Sequence, residues 1–270
     1  MKKVIINADD FGYSSGVNAG ILKAFRKGVL TSTTLMANMP GCDEAIYLAK
    51  SNPGLGVGGH LVLTCGAAKT FGKSIVDSEG KFYKLEQYRQ LRCSMDDEEI
   101  FNEWCSQIDY LIDNGLKLTH LDSHHHVHTF PENLAITKRI AHKYQLPFRN
   151  AFDLEKNQEL PCQKGITGFL DLMNYHAIRD LTQSFEENKD VCFSELQAVL
   201  DKIEEGEITE LMVHPAFVDE LLYFNSSFNI ARVKEVTILC DPMTKTLLSK
   251  NNVALFHYGN VPSIVREELS

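Results

Sequence analysis

The chain has no long hydrophobic run. None approaches the roughly 20 apolar residues that a membrane-crossing helix requires. The opening Met1-Lys2-Lys3-Val4-Ile5-Ile6 passes straight into Asn7-Ala8-Asp9-Asp10, so its apolar part is too short for the core of a secretory signal. Lys and Arg form no cluster and the formal net charge is −9, which argues against nucleic acid or an anionic membrane surface as a partner. The seven cysteines are odd in number, scattered and without a Cys-x-x-Cys pair. That excludes a zinc ribbon and a disulfide framework and fits reduced thiols in the cytoplasm. There is no Gly-x-Ser-x-Gly elbow, no phosphate-binding P-loop and no dinucleotide fingerprint. Internal repeats and low-complexity linkers are also missing.

What remains is an ordinary globular composition: 270 residues, 44% hydrophobic and 23% charged. That length suffices for a sizeable core and one large α/β domain spanning 1–270. Strand and helix patterns alternate in the first half. Residues 4–7 read as a buried strand, 15–27 as an amphipathic helix ending at Gly28, 32–36 as a strand, 43–50 as a helix and 56–63 as a third strand. Residues 65–95 lack periodicity and are expected to form a long loop or lid. Ile100, Phe101, Trp104, Ile108, Leu111 and Ile112 share one helical face, with Ser94 and Asp97 as a start signal. Strands are expected at 118–122 and 147–150, with a helix from Pro131 to about Tyr144 between them. The second half is less regular. Residues 153–190 are weakly patterned, and Ser194-Glu195-Leu196-Gln197 has the form of a capping box opening a helix to about Glu205. A strand at 210–213, helices at 231–239 and 242–250 and a strand at 253–257 complete the chain. Repeated β-α units of this length predict a distorted parallel (β/α) TIM-like barrel, with a doubly wound open sheet as the alternative.

Polar groups recur where strands end, the side on which parallel α/β folds collect their functional groups. They are Asp9-Asp10, His60, the run from Thr119 to His128, and His214. Five of the ten histidines lie in that run, at 120, 124, 125, 126 and 128. Few structural needs call for three adjacent imidazoles. In an extended run His124, His126 and His128 would share one face; a turn starting at Ser123 would break that alternation. At most two of them suit direct metal coordination. The Asp9 and Asp10 carboxylates cannot both point the same way from an extended backbone. One can bind a metal while the other acts as a base. His60 follows Gly58-Gly59, which would let the backbone approach a ligand. An Asp, His, His set leaves coordination positions open for water and substrate. His214 is placed to donate a proton to a leaving amine. Arg149 is a candidate to orient a carboxylate or bind substrate.

Asn7-Ala8-Asp9-Asp10-Phe11-Gly12, Thr31-Ser32-Thr33-Thr34, Gly59-His60 with Leu63-Thr64, and Thr119-His120-Leu121-Asp122-Ser123-His124-His125-His126-Val127-His128 together resemble the YdjC-like carbohydrate deacetylases, which include the chitooligosaccharide deacetylases. The resemblance spans most of residues 3–150 and thins afterwards to Val213-His214-Pro215. It implies a distorted (β/α) barrel, removal of acetyl groups from N-acetylated sugars, and one divalent metal, usually described as magnesium. It further implies Asp10, His60 and His124 as metal ligands, Asp9 as general base and His214 as general acid. Two imidazoles suit zinc, iron, cobalt or manganese better than magnesium, so the metal stays open.

The expected activity is therefore metal-dependent hydrolysis of the acetamide of a small N-acetylated amino sugar or short chitooligosaccharide. A metal-dependent phosphoesterase on the same barrel, or a sugar-binding regulatory protein without turnover, are the alternatives. Tyr13, Phe71, Phe82, Tyr83 and Phe217 are candidates for an apolar sugar platform. No oligomeric state is specified; a homodimer is compatible with the sequence.

Overall fold

The structure is a computed structural model, and it describes residues 1–152, 161–162, 166–172 and 176–261. Among these, the strands are β1 (Lys2–Phe11), β2 (Ser32–Leu35), β3 (Gly56–Leu61), β4 (Leu121–Ser123), β5 (Ile166–Asp171), β6 (Ile208–Val213) and β7 (Val253–Phe256). The helices are α1 (Ser15–Lys27), α2 (Cys42–Lys50), α3 (Leu85–Leu91), α4 (Asp97–Asp113), α5 (Leu134–Tyr144), α6 (His176–Arg179), α7 (Lys189–Asp201), α8 (Glu220–Asn225), α9 (Ala231–Cys240) and α10 (Pro242–Lys250). The sheet runs β4-β3-β2-β1-β6-β5, with β7 paired to the start of β1. Every one of these strand pairs is parallel. β6 takes one edge of β1, while β7 and then β2 share the other.

The alternation of side chains along β1 and β6 creates two cores. Val4, Ile6, Ala8, Leu211 and Val213 join the large apolar cluster beneath the helices. Ile5, Ile166, Ile208, Tyr258 and Val261 form a second cluster on the opposite face. A parallel sheet covered on one face by helices and curled around its own side chains is a half-barrel, the distorted parallel (β/α) form expected, rather than a doubly wound open sheet. Above the second apolar cluster the same face turns polar, with Asn7, Asp9, His60, Asp122 and Glu210 all buried.

Several boundaries differ from expectation. Residues 65–95 are not a structureless loop. They hold antiparallel bridges at Ala67–Lys81 and Val76–Phe82, then α3. Glu103 accepts hydrogen bonds from the Lys69 and Thr70 backbone N–H groups, and Glu99 from that of Ser74. These fasten the excursion to α4. α4 is capped by Asp96, which accepts from Glu98 N at 2.8 Å, and not by Ser94. α7 starts at Lys189, so Ser194 sits inside it; Cys192, Leu196, Val199 and Leu200 form its buried face, and burial outweighed the local capping pattern. Residues 147–150 make only isolated parallel bridges at Phe148, to Leu121 and Cys162. β5 falls in the weakly patterned stretch, whose residues 153–160, 163–165 and 173–175 lie outside the described residues. No helix described is long and apolar enough to cross a membrane.

Candidate functional site

The end of β1 separates the two aspartates. The β1–β2 register shifts between Ala8 and Phe11, and Asp10 adopts φ 68°. That left-handed conformation is uncommon for any residue but glycine, and such an irregularity re-aims side chains. Asp9 meets Arg149: Oδ2 accepts from Nη1 at 2.7 Å and Oδ1 from Nη2 at 2.5 Å. Asp10 turns elsewhere. Its Oδ1 lies 3.3 Å from His60 Nε2 and 3.2 Å from His124 Nδ1, and its Oδ2 lies 2.8 Å from Arg232 Nη1.

His60 comes from the end of strand β3 and Asp122 from β4, opposite it in register. Asp122 Oδ1 accepts the His60 Nδ1 proton at 2.6 Å, and its Oδ2 accepts from Thr34 Oγ1 at 2.8 Å. A carboxylate on Nδ1 fixes the tautomer and presents the Nε2 lone pair to a ligand. That Nε2 is buried and has no hydrogen-bond partner. Asp10, His60 and His124 offer ligand atoms all within 4.8 Å of one another. An unpartnered imidazole nitrogen beside a carboxylate and a second imidazole fits a divalent cation, and the two nitrogens favour zinc, cobalt, iron or manganese over magnesium. Burial opposes charge on His60, but Asp122 and Asp10 outweigh it and hold the imidazole well above its usual pKa. His124 is likewise raised to about 9 against the effect of burial, with Cys65 and Asp10 beside it. A metal ion bound here would compete with protons for the same nitrogens.

The histidine run does turn at Ser123. Residues His124–Thr129 form a 3-10 helix with His125 and His126 at φ 57° and 53°, so the extended alternation fails. Only His124 joins Asp10. His125 bonds Thr64 Oγ1 through Nδ1 at 3.0 Å. His126 meets the Phe169 ring edge-on. Burial pushes both down to about 3, so they are neutral walls. His128 is buried, bonded to Ser123 Oγ at 2.7 Å and stacked on Phe148. His120 stacks on Tyr258 at 3.7 Å. The glycines before His60 serve packing and not a ligand. A Cβ on Gly58 would lie 2.6 Å from His120 Cε1, and one on Gly59 3.0 Å from Leu121 Cδ2.

Arg149 is fully buried and surrounded by carboxylates: Asp9, Glu210 at 2.7 Å and Asp122 at 3.0 Å. It orients these groups and does not line the cavity. Burial pushes the Asp9 carboxyl upward, but the charge and hydrogen bonds of Arg149 hold it well below the ordinary carboxylate range. His214 follows β6, with Nε2 3.9 Å from Asp9 Oδ2 and its ring edge-on to Phe228. Its backbone N–H donates to Glu235 of α9. Burial lowers His214 to about 4 and raises Glu235 to about 8. At neutral pH the imidazole is therefore uncharged and Glu235 is mostly protonated.

A cavity of about 680 Å³ opens over this cluster, lined by Asp9, Asp10, His60, His124 and His214, and by Lys84–Glu86 on its rim. Of the expected aromatic platform only Tyr13 lines it. Phe82 and Tyr83 border a separate cavity of about 220 Å³, Phe71 is 101% exposed, and Phe217 lies under Lys23.

The family model described as YdjC-like protein matches residues 3–250. The chain belongs to the YdjC-like family. A carbohydrate deacetylase of Brevibacillus brevis is 38% identical over 261 residues, covering 96% of this chain and 99% of the relative. One from Geobacillus stearothermophilus is 37% identical over 254 residues, covering 94% and 96%. The structure also matches one from Enterococcus faecalis, of a protein proposed to act in cellobiose-phosphate cleavage, with TM-score 0.79, 33% identity and 95% and 97% coverage. A Streptococcus mutans CE4 esterase shares the fold at TM-score 0.54 and 13% identity, covering 94% and 84%.

The YdjC-like barrel also recruits residues that sequence reasoning passed over. Asp122 lies inside the histidine run and was masked by its neighbours. Arg232 and Glu235 come from α9, whose buried face includes Arg232, Lys234 and Glu235. A run of charged residues on an otherwise apolar helix was the signal available. Thr34 stood in the Thr31–Thr34 string but was given no role, and Glu210 carried no signal of its own.

Proposed function

We propose that the chain is a metal-dependent carbohydrate deacetylase, hydrolysing the acetamide of N-acetylated amino sugars or short chitooligosaccharides to acetate and a free amine. The observation that carries this reading is the Asp10, His60 and His124 cluster on the floor of a cavity whose walls include Asp9 and His214. The names of the curated relatives agree with it.

A divalent cation held by Asp10, His60 and His124 would supply acidification of a bound water and polarisation of the acetamide carbonyl. Asp9 is ionised throughout the physiological range, the form a base must have, and Arg149 holds both its oxygens in one orientation. Its basicity is low for a base working near neutral pH, so acidification of the water by a bound cation would have to make up the difference. His214 is neutral at rest, so the proton for the departing nitrogen has to reach it during the reaction. Asp9 Oδ2 is 3.9 Å from His214 Nε2, and a proton taken by Asp9 has a short path to that nitrogen. His125 and His126, both neutral, add no charge to compete with the cluster. Lys84–Glu86, on the excursion 65–95, would cover the bound sugar. A phosphoesterase with two metals is disfavoured, because Arg149 already occupies the carboxylates of the second acidic group, Asp9 and Asp122. The seven free cysteines support a cytoplasmic location.

The test is acetate release from a panel of N-acetylated sugars, using protein loaded in turn with zinc, cobalt, manganese and magnesium. Release that needs metal and is lost on chelation is expected. Silence across all sugars and metals would sink the reading.

A further inference from the structure

The turn that carries His124 is strained and heavily tied down. His125 and His126 sit at φ 57° and 53°, a conformation that costs a residue other than glycine roughly 5- to 30-fold in population. Two such residues in a row persist only where the surroundings over-determine them. Here three side chains spaced four residues apart, and so on one helical face, hold successive carbonyls. Thr129 Oγ1 donates to His126 O at 2.9 Å, Asn133 Nδ2 to Val127 O at 2.6 Å and Thr137 Oγ1 to His128 O at 2.9 Å. Asn133 is in turn gripped from the excursion 65–95. Its Oδ1 accepts from Arg92 Nε at 2.5 Å, and its Nδ2 also donates to the Tyr88 hydroxyl at 2.8 Å. Arg92 Nη2 reaches Glu132 O at 2.7 Å. Tyr88, Arg92 and Asn133 are all buried. Tyr88 lies on α3, whose first turn, at Leu85 and Glu86, lines the rim of the cavity. One amide therefore touches both the helix at the cavity mouth and the backbone that follows His124.

We propose that Asn133 is a positioning residue that couples the Asp10, His60 and His124 cluster to the excursion over the cavity. Its amide holds the histidine turn in the strained form that presents His124 to Asp10, and α3 holds the amide. The inference rests on the reading of that cluster as a metal site. The turn has two arrangements. In the strained one the His124 ring packs on that of His125 at 3.9 Å and lies 3.2 Å from Asp10 Oδ1. In the other, His125 and His126 relax to right-handed angles and His124 loses that support. Asn133, docked on Tyr88 and Arg92, selects the first. Coupling of this kind is reciprocal. An ion that selects the strained turn also tightens α3, so filling the cluster and closing the cavity mouth are one equilibrium. An Asn133 that served the fold alone would change stability and leave ion affinity where it was.

The test needs no turnover. Cobalt and zinc are titrated into the full metal-free chain in competition with a chromophoric chelator, and backbone hydrogen exchange across α3 is followed with and without the ion. In the unmodified chain the ion should slow that exchange. Asn133→Ala should weaken ion binding about tenfold, a loss usual for coupled sites, and abolish the slowing. Tyr88→Phe removes one hydroxyl and keeps the ring, so it should move both readouts the same way by a smaller factor. It carries the comparison if Asn133→Ala does not fold. The decisive arm is rescue. Glycine takes left-handed angles freely, so adding His126→Gly to either variant should recover about fivefold, or the whole loss where it is smaller. Equal ion affinity in the unmodified chain and both variants overturns the coupling and leaves the metal reading standing. So does a loss that His126→Gly fails to recover, or exchange across α3 that is indifferent to the ion. An unmodified chain that takes up neither ion overturns the metal reading and the coupling with it.

Discussion

Arg149→Met removes the guanidinium at the centre of the barrel's polar layer while keeping a side chain of similar length. In the folded protein its guanidinium touches Asp9 at 2.5 and 2.7 Å, Glu210 at 2.7 Å and Asp122 at 3.0 Å, with no exposure to solvent. Breaking a buried ion pair from one side costs about 3–5 kcal/mol, because the partner charge is left uncompensated. Here three carboxylates are abandoned together, so about 4 kcal/mol is a conservative expectation. At roughly 2–4 °C per kcal/mol for chains near this size, the melting temperature should fall by about 10 °C. The pH dependence separates this cause from lost packing. Asp9 has a depressed pKa in the native protein. Its contribution to stability is present above its unfolded value of about 3.8 and is lost as pH falls through the folded value. Without Arg149, burial, the largest influence and one that raises the carboxyl pKa, is opposed only by the smaller effects of His60 and His214. The variant then binds more protons folded than unfolded, and its stability increases on acidification. The gap between the two proteins should be widest near neutral pH and shrink below about pH 5. Thermal unfolding of both metal-free proteins at pH 5 and pH 8 measures it. A gap below 1 kcal/mol, or one equal at both pH values, would refute the claim that Arg149 is held there by charge.

Asp122→Asn removes the carboxylate that orients His60, and metal affinity measured by competitive dialysis should drop about 10- to 100-fold; unchanged affinity would remove Asp122 from the metal's support. Asp9→Asn should keep the metal and lower turnover by about 10²–10⁴, whereas Asp10→Asn should lose the metal itself. Metal content by elemental analysis decides, and the opposite pattern would exchange the two roles. His214→Ala should slow turnover most for poor leaving groups and least for good ones; an equal loss for all would make His214 a positioning residue. Glu235 has its folded pKa raised to about 8 from 4.5, so the folded state keeps a proton that the unfolded chain releases. Stability then falls as pH climbs from about 4.5 to 8, by at most about 1.4 kcal/mol per pH unit. Glu235→Gln should flatten that slope in calorimetric unfolding, and an identical slope would show Glu235 to be ionised.

Much of the fold was legible because its signals are local. α1 shows its apolar stripe and its Gly28 stop, and the strands before Asp9-Asp10, His60 and His214 read as apolar runs. The placement of the polar groups at strand ends then follows from the logic of parallel sheets. Ligand atoms of Asp10, His60 and His124, the set that the family resemblance implied, lie within 4.8 Å of one another. What the sequence left open was whatever depended on distance. Which histidine of the run meets Asp10 hinges on the turn after Ser123 and the left-handed backbone of His125 and His126, and no side-chain periodicity reports that. Gly58 and Gly59 were explained by His120 and Leu121, which approach from the next strand. Arg149 read as a group to orient a carboxylate or bind substrate, and only the fold brought Asp9, Asp122 and Glu210, from three strands, around it. Arg232 and Glu235 reached Asp10 and His214 from a helix far along the chain. The sequence by itself determined the residue types, the strand–helix alternation and the donor set a metal would need, because these are properties of single segments. The tertiary structure alone decided which carboxylate faces His60 and His124, which is locked by a cation and which histidines stay neutral. Those outcomes depend on burial and on charges brought within a few ångströms, and neither exists until the barrel has curled.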